Sequence, residues 1–184
     1  PGLTSGMAAV SAGTSHTCAL SNAGGLKCWG RGLAGELGHG AFANSLYPVD
    51  VSGLTSGIAE VAARFLHTCA ITTGGGAKCW GQNGFGQVGD GSSGNFRNTP
   101  VDVTGLSSGV TSIASGNNHS CAVVSGGVYC WGSNAFGQLG QGAADGTAHP
   151  NPLSVPTLTS GVQSVVTGDL HTCALLNDGS VKCW

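Results

Sequence analysis

All of the thiols in this chain, and four of its six imidazoles, fall in one recurring phrase. His-Thr-Cys stands at His16-Thr17-Cys18, His67-Thr68-Cys69 and His171-Thr172-Cys173, with His119-Ser120-Cys121 as the fourth copy. Each is answered a short turn later by Cys-Trp, at Cys28-Trp29, Cys79-Trp80, Cys130-Trp131 and Cys183-Trp184. All eight cysteines and all four tryptophans of the chain fall inside this phrase. Two chemistries are open to such a set. His-x-Cys with a second Cys across a turn offers three zinc ligands per copy; alternatively the two cysteines of each copy close a disulfide.

The turn between them favours the disulfide. In the third copy Cys121 and Cys130 are symmetric about Ser125-Gly126, which suits a two-residue hairpin with Val124 and Gly127 as the first facing pair. Counting outward, 121 and 130 fall opposite each other in a non-hydrogen-bonded site, where facing Cα atoms are about 4.5 Å apart and a disulfide fits. The other copies carry one more residue, in the turns Asn22-Ala23-Gly24, Thr73-Gly74-Gly75 and Asn177-Asp178-Gly179. Each ends in Gly, as a three-residue loop with a bulge requires. The expected pairs are Cys18 with Cys28, Cys69 with Cys79, Cys121 with Cys130, and Cys173 with Cys183. Zinc motifs instead bring cysteines together on a knuckle, so no metal and no cofactor are expected. Paired cysteines imply an oxidising compartment, a secreted or cell-surface location.

The phrase is embedded in a longer period. Aligning Leu3, Leu54, Leu106 and Leu158, each followed by Thr/Ser-Ser-Gly, divides the chain into modules 2–52, 53–104 and 105–156 and a partial module 157–184. Within a module an apolar alternating run comes first (Met7 to Ala12, Ile58 to Ala63, Val110 to Ser115, Val162 to Thr167). The His-Thr-Cys run, the turn and the Cys-Trp run follow. A loop of about twenty residues then closes on Pro48-Val49-Asp50-Val51, on Pro100-Val101-Asp102-Val103, or on the looser Pro152-Leu153-Ser154-Val155-Pro156. With 34 glycines and 8% charged residues the chain reads as all-β, short strands joined by many turns.

Other chemistries find no support. The formal net charge is −2 and the six Lys and Arg are scattered, which excludes nucleic acid as a partner. No apolar run approaches the roughly 18 residues of a membrane span, so no membrane insertion is expected. The acids Glu36, Asp50, Glu60, Asp90, Asp102, Asp145, Asp169 and Asp178 are dispersed, and none recurs beside a nucleophile; no enzyme is expected. The run from Asp90 to Asn95 lacks the carboxylates of a calcium loop. Asn118-His119-Ser120 fits the N-glycosylation pattern. His39 and His149 lie outside the phrase.

After each Cys-Trp the sequence continues Gly-x-x-x-x-Gly-x-x-Gly, most fully as Trp80-Gly81-Gln82-Asn83-Gly84-Phe85-Gly86-Gln87-Val88-Gly89 and as Trp131 to Gly140. With the Ala-Gly-x-x-His-Thr-Cys-Ala-Leu upstream, this resembles the repeat of the regulator of chromosome condensation family in its bacterial, cysteine-bearing form. The resemblance covers essentially the whole chain and implies a β-propeller of four-stranded blades. This chain would hold about three and a half of the seven in a closed family ring. The first module departs from the pattern, because Arg31 to Gly38 lacks the Asn and the Gln. That departure bears on local loop bonding and not on the fold.

On such blades Trp29, Trp80, Trp131 and Trp184 are expected to fill blade-to-blade contacts with their indole N–H on backbone. His16, His67, His119 and His171 are expected to be buried bond-makers that hold a neighbouring loop. Recognition would fall to the long loops, with Phe42, Tyr47, Phe96 and Arg97 as anchors. The expected function is that of a non-enzymatic extracellular scaffold or protein-interaction module, with a protein partner or further copies of itself. The alternative that similar bacterial propellers imply is inhibition of a secreted enzyme such as a β-lactamase. Nucleotide exchange on a small GTPase, the role of the founding protein, fits paired cysteines poorly. Half a ring exposes sheet edges and apolar faces, so the chain reads as a homo-oligomer subunit or as an excerpt of a longer closed propeller.

Overall fold

A computed structural model describes residues 3–184; the module start at Gly2 lies outside the described residues. Its fifteen strands form four antiparallel sheets in simple sequence order. The first sheet is β1 (Met7–Ala12), β2 (His16–Ser21), β3 (Leu26–Gly30) and β4 (Ser45–Asp50). The second is β5 (Ile58–Arg64), β6 (His67–Thr72), β7 (Ala77–Gly81) and β8 (Arg97–Asp102). The third is β9 (Val110–Ser115), β10 (His119–Val124), β11 (Gly127–Ser133) and β12 (Ala148–Ser154). The fourth has three strands, β13 (Val162–Thr167), β14 (Thr172–Leu176) and β15 (Val181–Cys183). These are the blades of a partial propeller, with successive first strands β1, β5, β9 and β13 lying against one another.

The middle hairpins are set by turn chemistry. Ser125 and Gly126 both have positive φ, 50° and 83°, as a two-residue type I′ turn needs, and Val124 faces Gly127. The three-residue turns place Gly24, Gly75 and Gly179 in the left-handed region. In both kinds of hairpin the cysteines come into register, and all four disulfides form with Cα atoms 4.1 Å apart. No sulfur is left as a thiolate for a metal.

Each closed loop is short, and in the chain-entropy model it contributes roughly 3 kcal/mol. The first three pairs are fully buried, whereas Cys183 is exposed. Mild reduction of the folded protein followed by alkylation and peptide mapping should therefore label Cys173 and Cys183 first. Simultaneous labelling of all eight would mean that the blades open as one unit.

The core lies between sheets and not within any one of them. Leu20, Leu26, Leu37 and Val51 of the first sheet pack on Ile58, Val61, Ala70 and Trp80 of the second. Ile71, Ala77, Val88 and Val103 pack in the same way on Val110, Ile113, Ala122 and Trp131. Val123, Val128, Leu139 and Val155 pack on Val162, Val165, Ala174 and Trp184. Each of the two inner blades buries both faces, one on each neighbour, which explains why their strands are rich in small and apolar residues throughout.

Candidate functional site

The repeated phrase builds a clasp between successive blades. Trp80 Nε1 donates to the Glu36 carbonyl of the preceding blade at 2.9 Å, and Thr68 Oγ1 donates to the same oxygen at 3.0 Å. Thr68 and Trp80 are facing residues of one hairpin, so a single register places both donors. The arrangement recurs with Trp131 and Ser120 on the Gln87 carbonyl and with Trp184 and Thr172 on the Gln138 carbonyl.

The histidines complete the clasp from the other side. His16 Nε2 lies 2.8 Å from Thr68 Oγ1, His67 Nε2 2.9 Å from Ser120 Oγ, and His119 Nε2 3.0 Å from Thr172 Oγ1. Each hydroxyl already donates its one proton to a carbonyl, so it accepts from the ring, which fixes the proton on Nε2. The other nitrogen, Nδ1 of His16, His67 and His119, is buried without a partner. Burial favours the neutral ring: the pKa falls to about 4 at His16, where Arg31 adds to the effect, to about 3 at His67, where His119 and His16 add, and to about 4 at His119, where His171 adds.

The loop that supplies the carbonyl is itself held by its own side chains. Gln87 Oε1 accepts from Phe85 N and Asn83 Oδ1 accepts from Val88 N. Gln138 and Asn134 repeat this on Phe136 N and Leu139 N. The last glycine of the motif has φ of 67°, 79° and 69° at Gly38, Gly89 and Gly140, and a Cβ there would lie within 3 Å of the indole nitrogen of the next blade's tryptophan. That glycine is the floor on which the next tryptophan rests.

In the first blade Glu36 takes the place of the glutamine. Its Oε2 accepts from Ala34 N at 2.7 Å, its Oε1 lies 3.2 Å from Arg31 Nη1, and Asn44 Oδ1 accepts from Gly32 N. The departure seen in the sequence is thus compensated locally. Glu36 is fully buried, and glutamine already does its work in two blades, so Glu36→Gln should change the unfolding free energy by no more than about 1 kcal/mol. A loss of 3 kcal/mol or more in urea titration would assign the ion pair a stability role of its own.

The two terminal copies of the phrase differ from the inner ones. Trp29 is half-buried and His171 is exposed, in contrast to the fully buried Trp80, Trp131, His67 and His119. The blade-core role read from the sequence for Trp29 and His171 does not describe them here, because each faces away from the array. Trp184 is half-buried but makes its indole bond to Gln138.

Of the loop anchors, Phe42, Tyr47 and Phe96 are 51%, 61% and 43% exposed. Arg97 is not a free anchor. Its Nε is bound to Asp90 Oδ2 at 2.6 Å and its Nη2 to Ser92 Oγ at 2.7 Å, so it locks its own loop. Asp145, Thr147 and His149 form the equivalent lock in the third blade. The glycosylation pattern at Asn118 is folded into a blade interface, where the Ser120 hydroxyl is buried and bonded.

Because the strands of each sheet run in antiparallel order, the connections from first to second strand, and in the first three blades from third to fourth, leave at one end of the array. Leu33, Phe42, Phe85, Phe96, Phe136 and Leu170 are exposed and all lie in these connections, with Leu46 and Tyr47 beside them on β4. The opposite end is made of glycine turns stitched by backbone bonds, among them Leu26 N to Leu54 O and Ile58 N to Gly24 O. Sequence reasoning missed Leu33, Phe85, Phe136 and Leu170 as surface residues. The signal was the placement of Phe85 and Phe136 between the two glycines of the motif, on the turn's outer side. Among the described residues no three His, Cys, Asp or Glu side chains converge as a metal site.

A family model described as the Regulator of chromosome condensation (RCC1) repeat matches residues 79–123 and 125–175, more than half of the chain. A second model of the same description matches residues 7–36, 58–87 and 110–138. The ultraviolet-B receptor UVR8 of Arabidopsis thaliana is 34% identical over 95% of this chain and 40% of its own length. The probable E3 ubiquitin-protein ligase HERC6 of Homo sapiens is 34% identical over 94% of this chain and 17% of its own length. Among solved structures, Prp20p of Saccharomyces cerevisiae superimposes with a TM-score of 0.83 at 24% identity, over 97% of this chain and 45% of that one. The chain therefore spans less than half the length of these relatives. The matched stretches include the clasp residues Trp80, Ser120, Trp131 and Thr172 and the glycine motifs that follow the tryptophans, and the chain belongs to the regulator of chromosome condensation repeat family.

Proposed function

We propose that this chain is a non-enzymatic extracellular protein-interaction scaffold, a set of disulfide-stapled propeller blades that presents one end to a protein partner. The observation that carries the reading is the placement of the exposed aromatic side chains Phe42, Tyr47, Phe85, Phe96 and Phe136 in or beside the loops of one end, opposite an end built of glycine turns. Aromatic residues on loops held by a rigid frame are the usual anchors of protein recognition. The acids are dispersed and His16, His67 and His119 are buried in the joints between blades, which supports a non-enzymatic reading. Four disulfides support an oxidising, extracellular setting. Prp20p, a relative by fold, is described as binding Gsp1p and histones, which accords with blades of this kind serving as protein-binding surfaces.

The test is quantitative cross-linking in the native extracellular fluid, comparing the wild-type chain with Phe42→Ala/Phe85→Ala/Phe96→Ala. These side chains are exposed, so the triple variant should keep its thermal midpoint while losing its cross-linked partner. An unchanged set of partners would remove the loop end from consideration.

A further inference from the structure

The clasp joins neighbouring blades, and its histidine contacts span 52 or 53 residues. The ion pair of Arg64 and Asp169 does not follow that spacing. Arg64 Nη2 donates to Asp169 Oδ1 at 3.1 Å across 105 residues, so the pair reaches past the third blade and joins the second to the fourth. Arg64 departs from the repeat as well. Gly13, Gly116 and Gly168 stand at its place in the other modules, three residues before the histidine, and a Cβ on any of them would fall within 3 Å of that histidine's ring. In the second blade β5 runs one residue further, Arg64 faces His67, and Phe65-Leu66 alone make the turn. The tighter hairpin makes the position a strand residue that can carry a long side chain.

Arg64 and Asp169 line a polar cavity of about 290 Å³ with Ala12, Gly13 and Thr14. Each of the five lies in a connection, or at a strand end beside one, with paired strands on both sides. The guanidinium has five N–H donors and makes one hydrogen bond among the described residues, and Asp169 Oδ2 accepts none. Asn117, whose N–H donates to the Asp169 carbonyl, keeps its Oδ1 buried without a donor. Arg31 and Arg97 differ, because the carboxylates of their partners Glu36 and Asp90 are also held by backbone N–H groups of their own loops. At Arg64 and Asp169 a cation and an anion stand in contact, each with most of its hydrogen-bonding capacity unspent.

We propose that this cavity binds a free α-amino acid by its head group. The ligand's carboxylate accepts from the unspent N–H groups of Arg64, and its ammonium donates to Asp169 and to the Thr14 hydroxyl. Adjacent charges of opposite sign belong to a free α-amino acid, whereas a chain terminus carries only one of the two. Asp169 disfavours a plain anion and Arg64 a plain amine, so the pair selects the zwitterion. The volume falls just below the range of about 300–1,000 Å³ for drug-sized ligands, as suits a smaller molecule. Arg64 also borders a groove along the first strands, walled by small side chains such as Ser11, Ala62, Ser112 and Ser164. With the ligand's side chain directed there, the site specifies the head group and leaves the side chain free to vary.

Titration of the whole chain with L-leucine and with L-alanine, followed by saturation-transfer NMR on the ligand, tests the site. Both are expected to bind saturably, with half-saturation below about 1 mM. N-acetyl-L-leucine lacks the ammonium and L-leucinamide the carboxylate, and each should bind about tenfold more weakly, the loss expected for a hydrogen bond to a charged group. Asp169→Asn should weaken L-leucine by a similar factor at an unchanged thermal midpoint, because Asp169 is exposed. Arg64→Gln should do the same, and Arg64→Lys, which keeps the cation and the ion pair, should fall between it and the wild type. No saturation up to about 10 mM, equal binding of either derivative, or indifference to Arg64→Gln or to Asp169→Asn would each overturn the proposal.

Discussion

Replacing Trp131 by alanine is expected to destabilise the chain by about 3–5 kcal/mol, close to the largest effect any single substitution here can produce. The side chain is fully buried at the centre of the second interface, packed with Val88, Val103 and Ile113. Its removal leaves a cavity that the surrounding strands, fixed by two disulfides, relax into poorly. It also removes one of the two donors on the Gln87 carbonyl. Trp131→Phe keeps most of the volume and loses the N–H, and should cost about 1–2 kcal/mol. Trp29→Ala is the internal comparison: the same residue in the same phrase, but half-buried where Trp131 is fully buried, should cost less than half as much. Urea denaturation of the oxidised protein checks the order. Equal losses at Trp29 and Trp131 would show that the tryptophans stabilise their own blade and not the joint between blades.

Acid should open the same joints. His16, His67 and His119 have folded-state pKa values of about 4, 3 and 4, against roughly 6.5 in an unfolded chain. Between those values the unfolded state binds the extra protons. The stability these rings allow is therefore fully present above about pH 6.5 and declines as the pH falls toward the folded values. By pH 4 each ring costs on the order of 3 kcal/mol, and three of them together rival the whole stability of an ordinary domain. The physical reason is the unpartnered Nδ1: a second proton there gains no acceptor and leaves a cation in the joint. The expected result is cooperative unfolding between pH 6 and 4 with the disulfides intact. In His67→Gln the side-chain amide can donate to Ser120 Oγ as the ring does, and the acid midpoint should shift downward. A far-ultraviolet spectrum and thermal midpoint unchanged from pH 7 to pH 4 would refute the assignment.

Much of this architecture was legible because it is local and repeated. Turn length set the cysteine register, and the alternating runs from Met7, Ile58, Val110 and Val162 are the first strands of the four sheets. The repeat also showed that Trp80, Trp131 and Trp184 and His16, His67 and His119 join blades; what it could not show was which atoms of the neighbouring blade receive them. The Glu36, Gln87 and Gln138 carbonyls are the acceptors on which the clasp is built, yet a backbone oxygen leaves no mark on sequence. The matched repeat 79–123 shows why a single module misleads: it starts on β7 of one blade and ends on β10 of the next. Arg97 was misread for a related reason. A cation on a variable loop looks free until the fold brings Asp90 and Ser92 to it.

Every joint in this chain is directional, offering the histidine and the loop carbonyl on one side and the hydroxyl and the indole on the other. Such joints behave as links in a one-dimensional chain with nearest-neighbour coupling, in which the free energy grows with the number of links and end units fray first. Blades then become interchangeable parts. Excising residues 53–104 would present His16 to Ser120 and the Glu36 carbonyl to Trp131, recreating a joint of the same composition, so a blade can be removed or added as a whole module without redesigning any contact.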